Sequence, residues 1–302
     1  MDAILEYSSG MISAGLRRGE MPLVDSLAFT IHRGESLALI GETGSGKTMT
    51  ALSIMGLLPG NVTMRNGSVL FLGRDLTKVR KMSGILGKEM VYIPQNGLEF
   101  LNPGRKVRHH LYDSLKKLGV KKDKLEEIAE SKLRLAGFEN PAEIMDKFPF
   151  QLSGGMAQRV TIAISACSEA KLIIADEPTN GLDENGKQTF MELLHTLFPE
   201  AGKIVITHDI GIAKLCDRAM VLCGGKAMET GPARDMLLRP NHPYTKALIR
   251  ALVENGMEQT PVLRAPAGGC PFYPRCPDAK EACGERILHH KDADREWWCG
   301  GK

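Results

Sequence analysis

The segment GETGSGKT, residues 41–48, constrains the fold of this chain more than any other stretch. It matches the pattern G-x-x-x-x-G-K-[ST], in which backbone N–H groups of a glycine-rich loop surround a phosphate. The residues before it, SLALI, are typical of a short buried strand, and the residues after it, MTALSIMGLL, are typical of a helix. A strand, a glycine loop and a helix in this order predict an α/β domain that binds a nucleotide.

The positions of this loop have different predicted roles. Gly41, Gly44 and Gly46 let the main chain turn inward without a side-chain clash. Lys47 can reach the β- and γ-phosphates, and Thr48 can offer its hydroxyl to Mg²⁺. The nucleotide-binding residues predicted from the motif are Gly41, Glu42, Thr43, Gly44, Ser45, Gly46, Lys47 and Thr48.

Composition and charge argue against several other classes of protein. The 302 residues carry 39 basic and 36 acidic side chains, and this near balance does not predict the basic face of a nucleic-acid-binding protein. The sequence lacks a run of about 18 apolar residues that would predict a membrane span. Because the N-terminus MDAILEYSSG does not resemble a secretory signal, we expect a cytosolic chain whose seven cysteines are reduced or metal-bound.

The sequence pattern changes twice along the chain. From about residue 96 to 165 it becomes helical, with glycine, proline and charged residues between the helices, which predicts a helical subdomain within the α/β domain. The segments KLIIADE, KIVITHD and AMVLCGG then predict buried strands of a mostly parallel sheet. We therefore predict a domain over residues 1–254 and a loop-rich, cysteine-containing extension over residues 255–302.

Two further motifs carry candidate chemistry. The strand KLIIADEP ends in Asp176, which could hold Mg²⁺ through water, and in Glu177, which could act as general base toward water. The segment QLSGGMAQRV places a serine and two glycines at a predicted helix start. That arrangement fits a second anion site or a simple helix cap. This segment belongs to the helical subdomain, away from the phosphate loop in the sequence pattern. How both segments could contact the same nucleotide therefore stays open.

The phosphate loop, LSGGM-Q, ADEPT and ITHD, in this order, resemble the ATP-binding subunit of an ABC transporter over about residues 4–251. The resemblance implies a P-loop NTPase fold with a mostly parallel sheet, an N-terminal antiparallel β subdomain and a helical subdomain. It implies an ATPase that uses ATP and Mg²⁺. It also implies a head-to-tail dimer, in which Ser153, Gly154 and Gly155 of one subunit close on ATP held by the other.

The same resemblance assigns roles to single residues. Gln95 would contact the metal and the attacking water, Asp183 would lie at the dimer seam, and His208 would contact the γ-phosphate. The catalytic residues implied are thus Glu177, His208 and Gln95, and the Mg²⁺ ligands are Thr48, Gln95 and Asp176. Ala14 stands where the family places an aromatic residue that stacks on adenine, so we expect measurable use of GTP.

Four segments narrow the resemblance to importers of oligopeptides, dipeptides and nickel: TALSIMGLLPG, PQNGLEFLNP, FPFQLSGGMAQR and RPNHPYTKALIRAL. Within that branch the chain resembles the first of two different ATPases. The implied partners are a second homologous ATPase, two permease subunits and, indirectly, an extracytoplasmic solute-binding protein, with no nucleic acid. The chain would then lie at the cytoplasmic face of the membrane and power peptide import. Import of nickel or a metal chelate is the alternative, and a soluble ATPase acting on DNA or ribosomes is a remote one.

The C-terminal segment contains four of the seven cysteines, Cys270, Cys276, Cys283 and Cys299. Since no pair has the spacing C-x-x-C, spacing alone is a weak indication of a metal site. Some relatives hold an iron–sulfur cluster in this extension, and four thiolates also suit zinc. A [4Fe–4S] cluster, zinc and free thiols therefore all stay open. The remaining cysteines, Cys167, Cys216 and Cys223, lie in apolar segments and are expected to be small buried hydrophobic residues.

Overall fold

The structure is a computed structural model that describes residues 2–17, 19–79, 81–95, 97–251 and 269–300. The chain divides into two compact units. The first comprises Met1–Ile4, Ile31–Glu35 and Val79–Val205, and the second comprises Leu5–Thr30, Ser36–Lys78 and Ile206–Lys302. Each unit is built from segments that are distant in sequence.

The strands in chain order are β1 (Ala3–Ser8), β2 (Met11–Leu16), β3 (Gly19–Asp25), β4 (Ala28–His32), β5 (Ser36–Ile40), β6 (Val62–Arg65), β7 (Ser68–Phe71), β8 (Arg74–Asp75), β9 (Met90–Ile93), β10 (Leu172–Asp176), β11 (Gly202–Thr207), β12 (Arg218–Cys223), β13 (Lys226–Pro232), β14 (His289–Asp292) and β15 (Arg295–Trp298). The helices are α1 (Lys47–Ile54), α2 (Gly97–Phe100), α3 (Val107–Lys117), α4 (Leu125–Leu135), α5 (Pro141–Asp146), α6 (Gly154–Ser165), α7 (Glu184–Leu197), α8 (Ile210–Ala213), α9 (Ala233–Leu238) and α10 (Pro243–Arg250).

The second unit carries most of the strands. Its largest run of neighbouring strands has the order β14-β15-β13-β12-β5, in which β12 pairs with β5 in parallel and with β13 in antiparallel orientation. Antiparallel strands also form a small sheet in the order β3-β2-β6. A further sheet, β4-β1-β7-β8, pairs β1 with β7 in antiparallel orientation. Every residue of β5 is buried, so this strand gives the phosphate loop a rigid base.

The first unit combines the strands β11-β10-β9 with the helices α2 to α7. β10 pairs with β9 in parallel and is buried throughout. In α3, Val107, Leu111 and Leu115 recur every four residues and are buried in one helical core. The same spacing recurs in α4. Because a four-residue spacing puts side chains on one face of a helix, this core orients α6, the helix that begins at the LSGGM motif.

The predicted fold class is confirmed in its parallel and antiparallel strands and in its helices. Helix α1, however, begins at Lys47 and ends at Ile54, earlier than the segment MTALSIMGLL predicts. The chain turns away from the helix at Gly56, whose φ is +64° and whose N–H donates to the Ser53 carbonyl oxygen. The boundary predicted between residues 254 and 255 lies outside the described residues. Within the described ranges, no helix is long and apolar enough to cross a bilayer.

The C-terminal segment is less loop-rich than its sequence predicts. β14 and β15 form an antiparallel hairpin, and β15 adds to β13 through Glu229 and Thr230. Cross-strand ring pairs support it, since His289 stacks on Trp298 and His290 on Trp297 with centroids 5.1 and 5.3 Å apart. The signal is weak in the sequence because every residue of β15 is only partly buried, so apolar and polar positions do not alternate.

Buried Glu229 fixes this hairpin to the start of α10. Its carboxylate accepts the backbone N–H groups of Asn241 and His242 over 2.8 and 2.9 Å. Arg295 of β15 donates Nη2 to the same carboxylate over 2.8 Å. The carboxylate is fully buried and would be very costly without these partners, so it holds three chain segments together.

Candidate functional site

The phosphate loop of the second unit depends on glycine at two places. A Cβ at Gly41 would lie 2.2 Å from the Leu222 carbonyl oxygen, a distance that no side chain tolerates. A Cβ at Gly46 would meet Val24 and the Leu23 carbonyl at 2.9 and 3.0 Å. Gly46, whose φ is +100°, is also the N-cap of α1. The closely packed backbone of the loop therefore runs directly into the N-terminus of α1. A helix N-terminus preceded by such a loop attracts an anionic phosphate.

Lys47 is buried within this loop. Its Nζ donates to the carbonyl oxygens of Gly41 and Glu42 over 2.6 and 3.0 Å. The side chain is 7 % exposed, so its charge is held against the loop backbone. Thr48, the next residue, is exposed at the first turn of α1. A buried cation, a helix N-terminus and an exposed hydroxyl fit a nucleotide triphosphate with Mg²⁺.

His208 follows β11 in the sequence, in the part of the chain that belongs to the second unit, and it is exposed. Asp209 follows it and caps α8, because its carboxylate accepts the N–H groups of Gly211 and Ile212. The Asp209 N–H in turn donates to the Thr207 hydroxyl over 2.9 Å. These bonds fix the backbone on both sides of His208 and leave its imidazole at the surface.

The two strand-end carboxylates lie in the first unit: Asp176 is the last residue of β10, and Glu177 follows it. Asp176 is 8 % exposed and its carboxylate accepts the Tyr92 hydroxyl over 3.1 Å. Burial, reinforced by the Asp176 charge, raises the pKa of Tyr92, so the hydroxyl stays a donor. Glu177 has a φ of +46°, a left-handed conformation that is costly for a residue with a side chain. Strain of this kind concentrates at functional sites.

The LSGGM motif forms the start of α6, also in the first unit. Ser153 is the N-cap, and its hydroxyl accepts the Met156 N–H over 3.3 Å. Ser153 and Gly154 are exposed. A cavity of about 510 Å³ is lined by Gln95, Gly97, Gly154, Gly155, Gln158, Asn180, Gly181 and Leu182. The structure thus brings Gln95 and the motif glycines to one cavity.

Asp183 and Gln158 connect this cavity to neighbouring elements. Asp183 is the N-cap of α7 and accepts the Gly186 N–H over 2.8 Å. Gln158 of α6 donates Nε2 to the carbonyl of Pro178 over 2.6 Å. Since Pro178 follows Glu177, this bond ties the LSGGM helix to the strained turn that carries the candidate general base.

The tail cysteines share one neighbourhood of the second unit. Burial raises the pKa of Cys270 to about 11, and the nearby Cys299, Cys276 and Cys283 add to the shift. The Cys270 N–H donates to the Cys283 carbonyl over 2.8 Å. Even so, nowhere in the described parts of the chain do three or more His, Cys, Asp or Glu side chains form a group that could hold a metal ion.

The family described as "ABC transporter" matches residues 24–180, more than half of the chain. The chain belongs to the ABC transporter family. It is an ATPase. A second family, "Oligopeptide/dipeptide transporter, C-terminal region", matches residues 228–283, a span that includes α10 and the start of the cysteine tail.

Curated relatives of this ATPase match almost its whole length. The dipeptide transport ATP-binding protein DppD of Bacillus subtilis is 36 % identical over 94 % of this chain and 89 % of the relative. The oligopeptide transport ATP-binding protein OppD of Salmonella typhimurium is also 36 % identical, over 93 % of this chain and 88 % of the relative. The relatives named here are peptide transport proteins, which favours the peptide reading over nickel.

Solved structures share the fold. CbiO1 of Clostridium perfringens, part of the ABC transporter complex CbiONQ, superposes with a TM-score of 0.68 at 26 % identity, over 79 % of this chain and 92 % of CbiO1. The ATP-binding cassette MJ0796, in a dimeric post-hydrolysis state with ADP and Pi, gives a TM-score of 0.67 at 23 % identity. That match covers 76 % of this chain and 99 % of the cassette, so it supports the ABC cassette fold.

Several contacts of the site escape the motifs. Tyr92, which holds Asp176, does not stand out in the sequence. Gln158 is the glutamine of LSGGM-Q, but the motif gives no sign that it binds the turn after Glu177. Tyr244 and Arg275 contact Glu42 of the phosphate loop from more than 200 residues away in the chain. The only sequence signal for Tyr244 is the HPYT segment, and Arg275 has none beyond its place between two cysteines.

Proposed function

We propose that this ATPase powers the import of oligopeptides or dipeptides through a membrane transporter. The observation that carries the proposal is the close-packed phosphate loop in a chain whose C-terminal region matches the oligopeptide/dipeptide transporter family. The relatives named for dipeptide and oligopeptide transport agree with it. The partners we propose are a second homologous ATPase, two permease subunits and an extracytoplasmic solute-binding protein, with the chain peripheral at the cytoplasmic face of the membrane.

In this mechanism the residues divide the work of hydrolysis. The backbone of the phosphate loop and Lys47 bind the phosphates, and Thr48, Gln95 and Asp176 are the side chains that would hold Mg²⁺. Bound there, Mg²⁺ would offset the charge on the phosphate oxygens. Glu177 takes a proton from the attacking water, and His208 contacts the γ-phosphate. Ser153, Gly154 and Gly155 act on the nucleotide of the partner ATPase, and Asp183 lies at the seam.

Charge stabilisation then depends on closure of the dimer. Preorganised donors stabilise a transferred phosphoryl group only when they are placed around it before the reaction. Exposed Ser153 and Gly154 are available to a partner, whereas buried Lys47 acts within its own chain. ATP binding closes the two ATPases and hydrolysis opens them, which supplies the motion that drives a permease.

The cysteine tail is proposed to hold a metal group. Cys270, Cys283 and Cys299 are buried and Cys276 is half-buried, and four thiolates are the ligand number of zinc or an iron–sulfur cluster. In the described residues these side chains are not grouped as metal ligands, so the proposal requires them to draw together when a metal binds. Burial raises the pKa of Cys270 and Cys276, so ligation would have to drive their deprotonation. Anaerobic purification followed by iron, zinc and acid-labile sulfide analysis tests this. A preparation with none of the three, and with four titratable thiols in this tail, would refute it.

The transported solute is tested by uptake. Cells lacking this gene are offered labelled dipeptide and radioactive nickel in parallel, and the gene is then restored as wild type or as Glu177→Gln. We expect loss of peptide uptake alone, with rescue only by the wild type. Loss of nickel uptake alone would replace peptide with nickel or its chelate, and no loss of either would overturn the importer proposal.

A further inference from the structure

The C-terminal tail contacts the phosphate loop through one ion pair. Arg275 donates Nη1 and Nη2 to Oε1 and Oε2 of Glu42 over 2.8 and 3.0 Å. This is a bidentate pair, the geometry in which a guanidinium fixes a carboxylate best. The Arg275 side chain is 5 % exposed and that of Glu42 is 41 % exposed. The arginine is therefore anchored, and the glutamate of the loop is the partner that it holds.

Aromatic residues hold the same pair from other sides. The Arg275 guanidinium lies 5.1 Å from the ring centre of Phe272 and 5.8 Å from that of Tyr244. The Tyr244 hydroxyl accepts the backbone N–H of Glu42 over 3.2 Å. Both the main chain and the carboxylate of Glu42 are thus fixed by residues that follow the catalytic motifs in sequence.

The tail also packs closely around this contact. Pro271 lies so near Gly224 that a Cβ at Gly224 would come within 2.7 Å of it. Cys223 places its sulfur 3.7 Å from Nη2 of Arg275. A cavity of about 170 Å³ borders Thr43, Gly44 and Arg275. Arg275 therefore lines the cavity beside the phosphate loop, where its positive charge attracts an anion bound by the loop.

The charge of Glu42 makes this contact matter for nucleotide binding. Glu42 is the one acidic residue in GETGSGKT, a loop that must hold a polyanion. A carboxylate beside phosphates repels them, and an opposite charge at hydrogen-bond distance offsets that repulsion. Without Arg275, the carboxylate would also lose the partner that fixes its direction.

We propose that Arg275 is a positioning residue for ATP, which neutralises Glu42 and orients it so that the phosphate loop accepts the triphosphate. The proposal rests on residues 41–48 being the nucleotide loop, and it does not depend on which solute is transported. It gives the C-terminal tail a direct part in ATP binding, in addition to any metal that its cysteines hold.

The test is titration of the full-length chain with a fluorescent N-methylanthraniloyl ATP in the presence of Mg²⁺. Arg275→Met should weaken binding about tenfold, because an unpaired and partly screened carboxylate remains beside the phosphates. Glu42→Gln should tighten binding about threefold, since it leaves the arginine charge next to them. The double variant Arg275→Met/Glu42→Gln should bind like the wild type, because it leaves neither charge unpaired. Independent effects would instead leave it about threefold weaker, so the difference reports direct coupling.

Rescue by the second substitution separates positioning from folding. If Arg275→Met acted only by disordering the tail, the two effects would add and the double variant would stay about threefold weaker than the wild type. A double variant that stays about threefold or more weaker than the wild type, or an Arg275→Met variant that binds like the wild type, would overturn the proposal. Arg275→Lys keeps the charge but loses the bidentate geometry, so its affinity for the ATP analogue should lie between those of the wild type and Arg275→Met. It replaces Arg275→Met in the test if that variant does not fold. Lys291→Met, which breaks the exposed pair with Glu296 in the same tail, is the matched control.

Discussion

Two buried strands, β5 and β10, are each followed by a turn with positive φ angles, but the first turn uses glycine and the second uses glutamate. After β5 the chain enters Gly41 and Gly44, with φ of +155° and +81°, at positions where glycine avoids a clash or strain. After β10 it enters Glu177 at +46°, where a side chain costs about 1–2 kcal/mol. The difference shows what each turn supplies. The first presents backbone N–H groups, whereas the second must present a carboxylate and retains the strain.

The largest effect is expected at the strained turn. Glu177→Gln keeps the size of the side chain but cannot take a proton, so ATP hydrolysis should fall about 10²–10⁴-fold. ATP binding should persist, because the phosphate loop is untouched. Phosphate release from the assembled transporter measures the effect, with the exposed Glu200→Gln as control. Hydrolysis within twofold of the wild type would remove Glu177 from the role of general base.

Substitutions of glycine in the phosphate loop should destabilise the fold by steric clash. Gly41→Ala places a Cβ 2.2 Å from the Leu222 carbonyl and should lower the free energy of unfolding by about 3 kcal/mol. Gly44→Ala meets no atom within 4 Å and should cost only the left-handed backbone term, about 1–2 kcal/mol. Denaturant melts of the two nucleotide-free variants test the contrast. Equal losses would show that the glycines of this loop are required for conformation alone.

A smaller effect is expected from the hydroxyl that holds Asp176. Tyr92→Phe removes the 3.1 Å bond to the carboxylate and leaves the ring in place. Because partners of a metal ligand orient it, half-maximal hydrolysis should need about tenfold more Mg²⁺. Titration of activity with Mg²⁺ checks this, and Tyr112→Phe in α3 is the matched control. An unchanged Mg²⁺ requirement would mean that the strand alone orients Asp176.

The smallest expected effect is a gain in stability at the turn after β10, opposite in sign to the loss expected in the phosphate loop. Glu177→Gly should raise the free energy of unfolding by about 0.5–1 kcal/mol, since relief of the left-handed strain exceeds the entropy that glycine adds to the unfolded chain. The same variant should lose hydrolysis. Thermal melts compare it with Gly44→Ala, where glycine is removed instead. A variant less stable than the wild type would mean that the Glu177 side chain stabilises its own turn.

Regular spacing explains how much of the fold could be predicted from the sequence. The phosphate loop follows from a local motif, and the helical segment follows from its apolar spacing, as in Val107, Leu111 and Leu115. The hairpin β14–β15 could not be predicted, because its strands have no apolar face. Its pairing depends on ring contacts and on Arg295 reaching buried Glu229.

The candidate site divides in the same way. Motif residues such as Lys47, Asp176 and Glu177 could be named in advance because their spacing is local. Arg275 could not, since its partner Glu42 is separated from it by 233 positions and neither residue type is unusual. Glu177 could be named, but its left-handed backbone had no signal in the sequence.

The long separation between Glu42 and Arg275 has a consequence for biosynthesis. The ribosome makes the phosphate loop first and adds Arg275 only 233 positions after Glu42. Long-range contacts form late because the chain between them must first be made and folded. Until Arg275 has been made, a nascent chain carries the loop without this partner for Glu42. By the coupling proposed above, full affinity for ATP arises only after Arg275 has been added, so shorter products compete poorly for the cell's nucleotide.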